Sequence, residues 1–220
     1  MVGLGVTRQS RTSRNGGEDV PDYPPPVSAS SYERLSVTSR AEWRAWLAEH
    51  HATSPGVWLV QRKRGPGPTY DDVVEEALCF GWVDSQVRSL DADRAEQLLT
   101  PRRKGSVWAR SNKERVARLT AAGSMAPAGL AVVEQAKASG QWTLLDDVED
   151  LLEPADLRAA LDANAAARAS WDAFPPSARK ALLGWIVTAK RAPTRERRVA
   201  TTVSEAAAGR RVLLDVTPSQ

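Results

Sequence analysis

Residues 79–112 read CFGWVDSQVRSLDADRAEQLLTPRRKGSVWARSN, and the fold turns on this stretch. Two runs, 82–90 and 94–100, flank the turn-forming Asp91-Ala92-Asp93, with Val83, Val87, Leu98 and Leu99 as apolar positions, which is the pattern of a β-hairpin. Strand alternation puts Trp82 and Asp84 on one face and Ser85 on the other. Val57–Lys63 (VWLVQRK), closed by the Gly65-Pro66-Gly67-Pro68 loop, reads as a further strand. The expected sheet is therefore small and antiparallel with about three strands, near the minimum for independent stability.

Helices are expected on both sides of this sheet. Ser39-x-x-Glu42 is a capping box ahead of Trp43, Trp46, Leu47 and His50 at helical spacing. Thr69 or Asp71 caps a short helix that stops at Gly81. After residue 106 the chain reads helical. Ser111-x-x-Glu114 is a second capping box, Pro127 suits a first helical position, and 141–153 is an acidic connector. Further helices are expected near 154–163, 165–173, 177–190 and 194–208, with Thr194 as the cap of the last. The fold class is α+β: an N-terminal helix and a small sheet followed by a mainly helical C-terminal half. Residues 1–36, rich in Gly, Ser, Arg and Pro, are expected as a disordered tail. Residues 37–140 form the α+β region, 141–212 the helical region, and 213–220 a frayed end.

The 220 residues carry a net charge of +3, too small by itself to imply nucleic acid, and eight of the 13 aromatic residues are Trp. Cations gather at 100–118 and 190–198 and acids at 146–156, which as solvated faces would partly pair with one another. Cys79 is the only cysteine, which allows no intrachain disulfide and suits a reducing cytosol. No apolar run reaches the roughly 18 residues of a membrane span, and the start has no continuous apolar core of a secretory signal, so a cytoplasmic location is expected.

Little in the chain has the pattern of a catalytic or metal centre. Cys79 falls at a helix C-terminus, where the dipole disfavours a thiolate. His50 and His51 are adjacent and point about 100° apart on a helix, so a zinc site is not expected, and no cofactor motif is present. Asp84 could meet a ligand, cap a loop or pair with Arg102. Arg102, Arg103 and Lys104 precede Ser106, Trp108 and Asn112, a combination of forked cations and stacking faces suited to an anion. Lys190, Thr194, Arg195 and Arg198 lie at the junction of the last two helices, where cations oppose the helix dipole and call for a carboxylate or a bound anion.

These blocks, in this order, resemble the YdeI/OmpD-associated or bacteriocin-protection family: Trp43 and Trp46, VWL at 57–59, ALCFGWVDS at 77–85, TPRRKGSVWARSN at 100–112, and GWIVTAKRAPTRERRV at 184–199. The resemblance covers roughly residues 38–212. It implies a protein linked to antimicrobial-peptide or bacteriocin resistance and stress protection, and no established enzymatic activity. The leading expectation is thus a non-enzymatic binding protein for an anionic ligand or a protein partner. Its site would comprise Trp82 and Trp108 as stacking faces, Arg102, Arg195 and Arg198 as anion contacts, and Asp84, Ser85, Ser106, Asn112, Lys190 and Thr194 around them. Nucleic-acid binding through the two basic segments, and an enzyme acting on an anionic small molecule, are the alternatives.

Overall fold

A computed structural model describes residues 31–212. The expectations for most of the N-terminal tail and for the end after 212 lie outside the described residues. Along the chain the elements are β1 (Glu33–Ser36), α1 (Arg40–His50), β2 (Val57–Arg62), α2 (Tyr70–Cys79), β3 (Trp82–Ser89), β4 (Arg94–Pro101), α3 (Arg110–Ala121), α4 (Pro127–Ala138), α5 (Asp146–Glu149), α6 (Ala155–Asp162), α7 (Ala165–Ala173), α8 (Pro176–Val187) and α9 (Ala192–Ala207).

The sheet has four strands in the order β1-β2-β4-β3, and it is mixed rather than antiparallel throughout. β1 runs parallel to β2, pairing Glu33 with Val57, and α1 is the crossover that a parallel pair requires. Residues 33–36, expected in the tail, are therefore structured. Their sequence, ERLS, is too short and polar to show strand periodicity, and only pairing with β2 makes it a strand. The hairpin β3–β4 is as expected, with a register shift between Asp84 and Gln86 that leaves Ser85 as the unpaired bulge residue.

One face of the sheet packs under α1 and α2. Trp43 and Trp46 stack at 5.4 Å between ring centroids, and Trp82 meets both edge-on at 6.5 and 5.8 Å. Each buried indole N–H is satisfied: Trp43 donates to the Val73 carbonyl and Trp82 to that of His51, both at 3.1 Å. α2 is buried along Val73–Cys79, two carboxylates included. Glu75 and Glu76 accept from Arg40, Arg44 and Arg118 of the flanking helices, which is how an acidic helix tolerates this position. A second hydrophobic core lies in the C-terminal half, built on Leu157, Leu161, Trp171, Leu183 and Ile186.

Helix starts divide between side-chain caps and proline. Ser39 accepts from the Glu42 N–H, and Thr69 forms a full capping box with Asp72. The box at Ser111 does not form. α3 starts two residues earlier, with Ala109 at the cap position and no side-chain bond. Thr194 is likewise not the cap of α9, which begins at Ala192 behind Arg191, with Pro193 in its first turn. There the fixed φ of proline starts the helix without a capping side chain.

The acidic stretch 146–156 is a hub for these charges. Asp146 pairs with Lys113, Asp150 with Arg110, Glu149 with Lys180 and Asp156 with Arg195. The Lys180 ammonium holds the Glu149 carboxyl below the usual range, as the Arg195 guanidinium does for Asp156. A carboxylate depressed in the folded state stabilises above its unfolded pKa, and that stability is lost as pH falls through the folded value. Melting temperature is expected to be level from pH 7 to pH 5 and to fall steadily below about pH 4, as read by circular dichroism. A flat profile down to pH 3 would contradict this.

Candidate functional site

β4 ends at Pro101, and the chain then turns through Arg102-Arg103-Lys104-Gly105-Ser106. The Arg102 N–H donates to the Gly81 carbonyl and the Ser106 N–H to that of Arg103, each at 3.0 Å. Gly105 takes φ 87°, a conformation that favours glycine. This turn sends the Arg102 side chain inward, where the residue is only 5% exposed. Its guanidinium carbon stands 3.8 Å from the Trp108 ring centroid, and Trp108 packs on Trp142 at 4.9 Å. Nη1 donates to the Val107 carbonyl at 3.3 Å, while the buried Nε and Nη2 have no partner.

Burial pushes the Arg102 pKa down to about 10, with the charge of Asp84 acting in the opposite sense. The side chain is therefore still a cation at neutral pH. A buried cation with no carboxylate on it is costly, and the face of Trp108 offsets only part of that cost. The missing ligand for such a group is an oxygen acceptor, best a charged one.

The guanidinium lines a narrow pocket with Ser106 and Trp108. Its opposite wall is Gln135 of α4 together with Ser139 and Gln141 just past the end of that helix. About 10 Å³ is accessible to the centre of a water molecule, roughly room for one water or one ligand oxygen. Arg103 and Lys104 are exposed at the rim. From the other half of the chain, the Lys190 ammonium comes to 3.9 Å of the point where a Cβ on Gly105 would stand. The pocket wall is fixed by a close approach. Gly129 of α4 lies so near the end of α2 that an added Cβ would stand 2.2 Å from the Cys79 carbonyl oxygen, and the Ala126 N–H donates to that oxygen at 3.0 Å.

Of the residues expected to form one site, the structure brings together Arg102, Ser106, Trp108 and Lys190. The others are elsewhere. Trp82 is fully buried against α1, so its faces are not open to a ligand, and Trp108 presents its face to Arg102 inside the protein. Asp84 does not pair with Arg102; its Oδ2 accepts from the Tyr70 hydroxyl at 2.8 Å and the Gln97 amide at 3.2 Å. Ser85 is the exposed bulge residue. Asn112 and Thr194 sit in the first turns of α3 and α9, away from the pocket lining. Arg195 is held by Asp156 at 2.6 Å, and Arg198 lies over the Trp185 ring and donates to the Trp185 carbonyl. The dipole conflict at the start of α9 is thus met in part by Asp156.

Gln135, Ser139 and Gln141 were not legible as site residues. They are common polar residues near the end of an ordinary helix, and only the close packing of α4 on α2 turns them toward Arg102.

The fold and pocket define an α+β module with a buried, unpaired arginine, followed by a helical unit joined to it by ion pairs. Residues 150–209, which span α6 to α9, match the family model described as "Bacteriocin-protection, YdeI or OmpD-Associated", in line with the resemblance read from the sequence. Residues 35–132, which contain the CFGWVDS and PRRKGSVWARSN blocks, match the model of a domain of unknown function (DUF8412). No curated protein and no solved structure matches the chain. No helix among the described residues is long and apolar enough to cross a membrane.

Proposed function

We propose that this is a non-enzymatic binding protein of the bacteriocin-protection or stress-protection kind, and that its binding centre is an anion pocket at Arg102. The name of the family matched by residues 150–209 supports the first part. One observation carries the second: a guanidinium 5% exposed, with two buried nitrogens unpartnered, in a pocket rimmed by further cations. The narrow opening suits a single carboxylate or phosphate group at the end of a larger molecule. One anionic oxygen would take Nε or Nη2, while Arg103, Lys104 and Lys190 meet the remaining charge.

Nucleic acid is the weaker occupant. Among the cations of the two basic segments, Arg110, Lys113, Arg115, Arg118 and Arg195 are engaged by carboxylates of the protein itself. An enzyme would need an acid or base beside the bound anion, and Asp84 is instead occupied by Tyr70 and Gln97.

Arg102→Met tests the site. Methionine keeps the stem and removes a buried charge, so stability is expected to be unchanged or higher by about 1–3 kcal/mol. Affinity for inorganic phosphate and acetate, measured by calorimetry, is expected to fall by at least about tenfold. Retained affinity in this variant would overturn the proposal. A large loss of stability would show that Arg102 is a structural residue.

A further inference from the structure

The face of the sheet that packs under α1 and α2 changes character at its far end. Over Val57, Leu59 and Leu99 it is apolar. Beyond them, on the same face, come Gln61 of β2, Gln97 and Ala95 of β4, and Val87 of β3, as the pairings Gln61 with Ala95 and Val87 with Gln97 require. The loop between β2 and α2 stands beside this end and encloses with it a cavity of about 430 Å³, within the usual range for small-molecule sites.

Four features make this cavity more than a gap. Gln61 Nε2 is buried and has no hydrogen-bond partner, a condition that native proteins rarely leave without a reason. Next to it the Asp84 carboxylate fixes the Tyr70 hydroxyl and the Gln97 amide through one oxygen, so Tyr70 is held in place although half its surface is open. Tyr70 and Val87 are 50% and 61% exposed, a sizeable apolar area for a cavity wall. Arg62 and Arg64 also line the cavity. Neither forms an ion pair among the described residues, in a chain where most arginines are paired.

We propose that this cavity is a second binding site, separate from the Arg102 pocket, for a planar heterocycle carrying an anionic group, with a nucleoside monophosphate as the representative. The flat ring would lie against Tyr70 and Val87. A ring nitrogen or carbonyl would accept from Gln61 Nε2, and Arg62 and Arg64 would take the phosphate. The wider cleft beside it, of about 720 Å³, shares Arg62, Lys63 and Arg64, and the phosphate end would keep to that side, because Asp91 and Asp93 line the rest.

The test is calorimetric titration of the full chain with AMP, GMP, CMP and UMP, with inorganic phosphate as the comparison. Saturable binding of at least one nucleotide, tighter than phosphate, is expected. Gln61→Leu and Tyr70→Ala should each weaken it by about tenfold. Gln61→Leu replaces an unpartnered amide by a group of similar volume, so its melting temperature should not fall. Arg102→Met should leave nucleotide affinity unchanged, which separates this site from the anion pocket. No saturation at millimolar nucleotide would overturn the proposal. So would equal affinity for phosphate, or equal loss in Arg102→Met.

Discussion

Gly129→Ala is expected to destabilise the protein by about 2–4 kcal/mol, although alanine is the better helix former by about 1 kcal/mol. The sign follows from what the new methyl would meet. Its carbon would stand 2.2 Å from the Cys79 carbonyl oxygen, 2.7 Å from the Cys79 carbonyl carbon and 2.8 Å from the Leu78 carbonyl oxygen. All three are backbone atoms at the end of α2, which is buried along nearly its whole length and cannot give way. α4 must move instead, which pulls apart the Ala126 bond to Cys79 and opens the wall that faces Arg102. For a chain of this size such a loss lowers the melting temperature by roughly 5–12 °C, with little change in far-ultraviolet circular dichroism. Gly123→Ala is the control. Gly123 has φ 67° and nothing within 4 Å of an added Cβ, so only the backbone cost of about 1 kcal/mol applies. If the two variants melt together, the close approach of α4 to α2 is not what the glycine is for.

Glu153→Ala is expected to cost about 3–5 kcal/mol, for an electrostatic reason. The Glu153 side chain is 9% exposed and joins the ends of three elements in the C-terminal core. Its Oε1 accepts from Trp171 Nε1 at 2.7 Å and from Arg168 Nη1 at 3.1 Å, and its Oε2 accepts from Arg168 Nη2 at 2.7 Å. Arg179 is 3.7 Å away. Alanine leaves a fully buried indole N–H without an acceptor and two partly buried guanidinium groups without their shared counter-charge. Glu153→Gln keeps an acceptor for Trp171 and loses the charge, so about half of that destabilisation is expected. Urea midpoints at constant slope would measure both. Equal losses in the two variants would place the energy in the charge alone. No loss in either would mean that water, together with Asp162 and Asp172, which also pair with Arg168, replaces Glu153 without penalty.

Side-chain chemistry that acts locally was legible in the sequence. The hairpin across Asp91–Asp93, a cap at Thr69 or Asp71 and the proline start of α4 depend on neighbours within a few residues, and the chain carries those signals, although the equally local box at Ser111 does not form. β1 was not legible, because four residues of mixed polarity become a strand only when β2 supplies their hydrogen bonds. The cap at Thr194 failed because Pro193 starts the helix earlier with its fixed backbone angle.

The candidate site divides along the same line. Arg102, Ser106 and Trp108 could be named from the sequence because a cation beside tryptophan in a Gly-containing loop is a recognisable combination. That Arg102 is buried and unpartnered, while Arg195 is held by Asp156, could not. Both are arginines in basic segments, and their difference lies in where acids from 39 residues or more away come to rest. The aromatic residues show it again. Sequence can say that Trp82 must bury its ring and satisfy its N–H. Only tertiary packing decides that α1 and the His51 carbonyl do this, and that no face remains for a ligand. Local hydrogen bonding and backbone angles act over a few residues and are written in order along the chain. Charge pairing, burial and close backbone approach are properties of positions that meet only after folding.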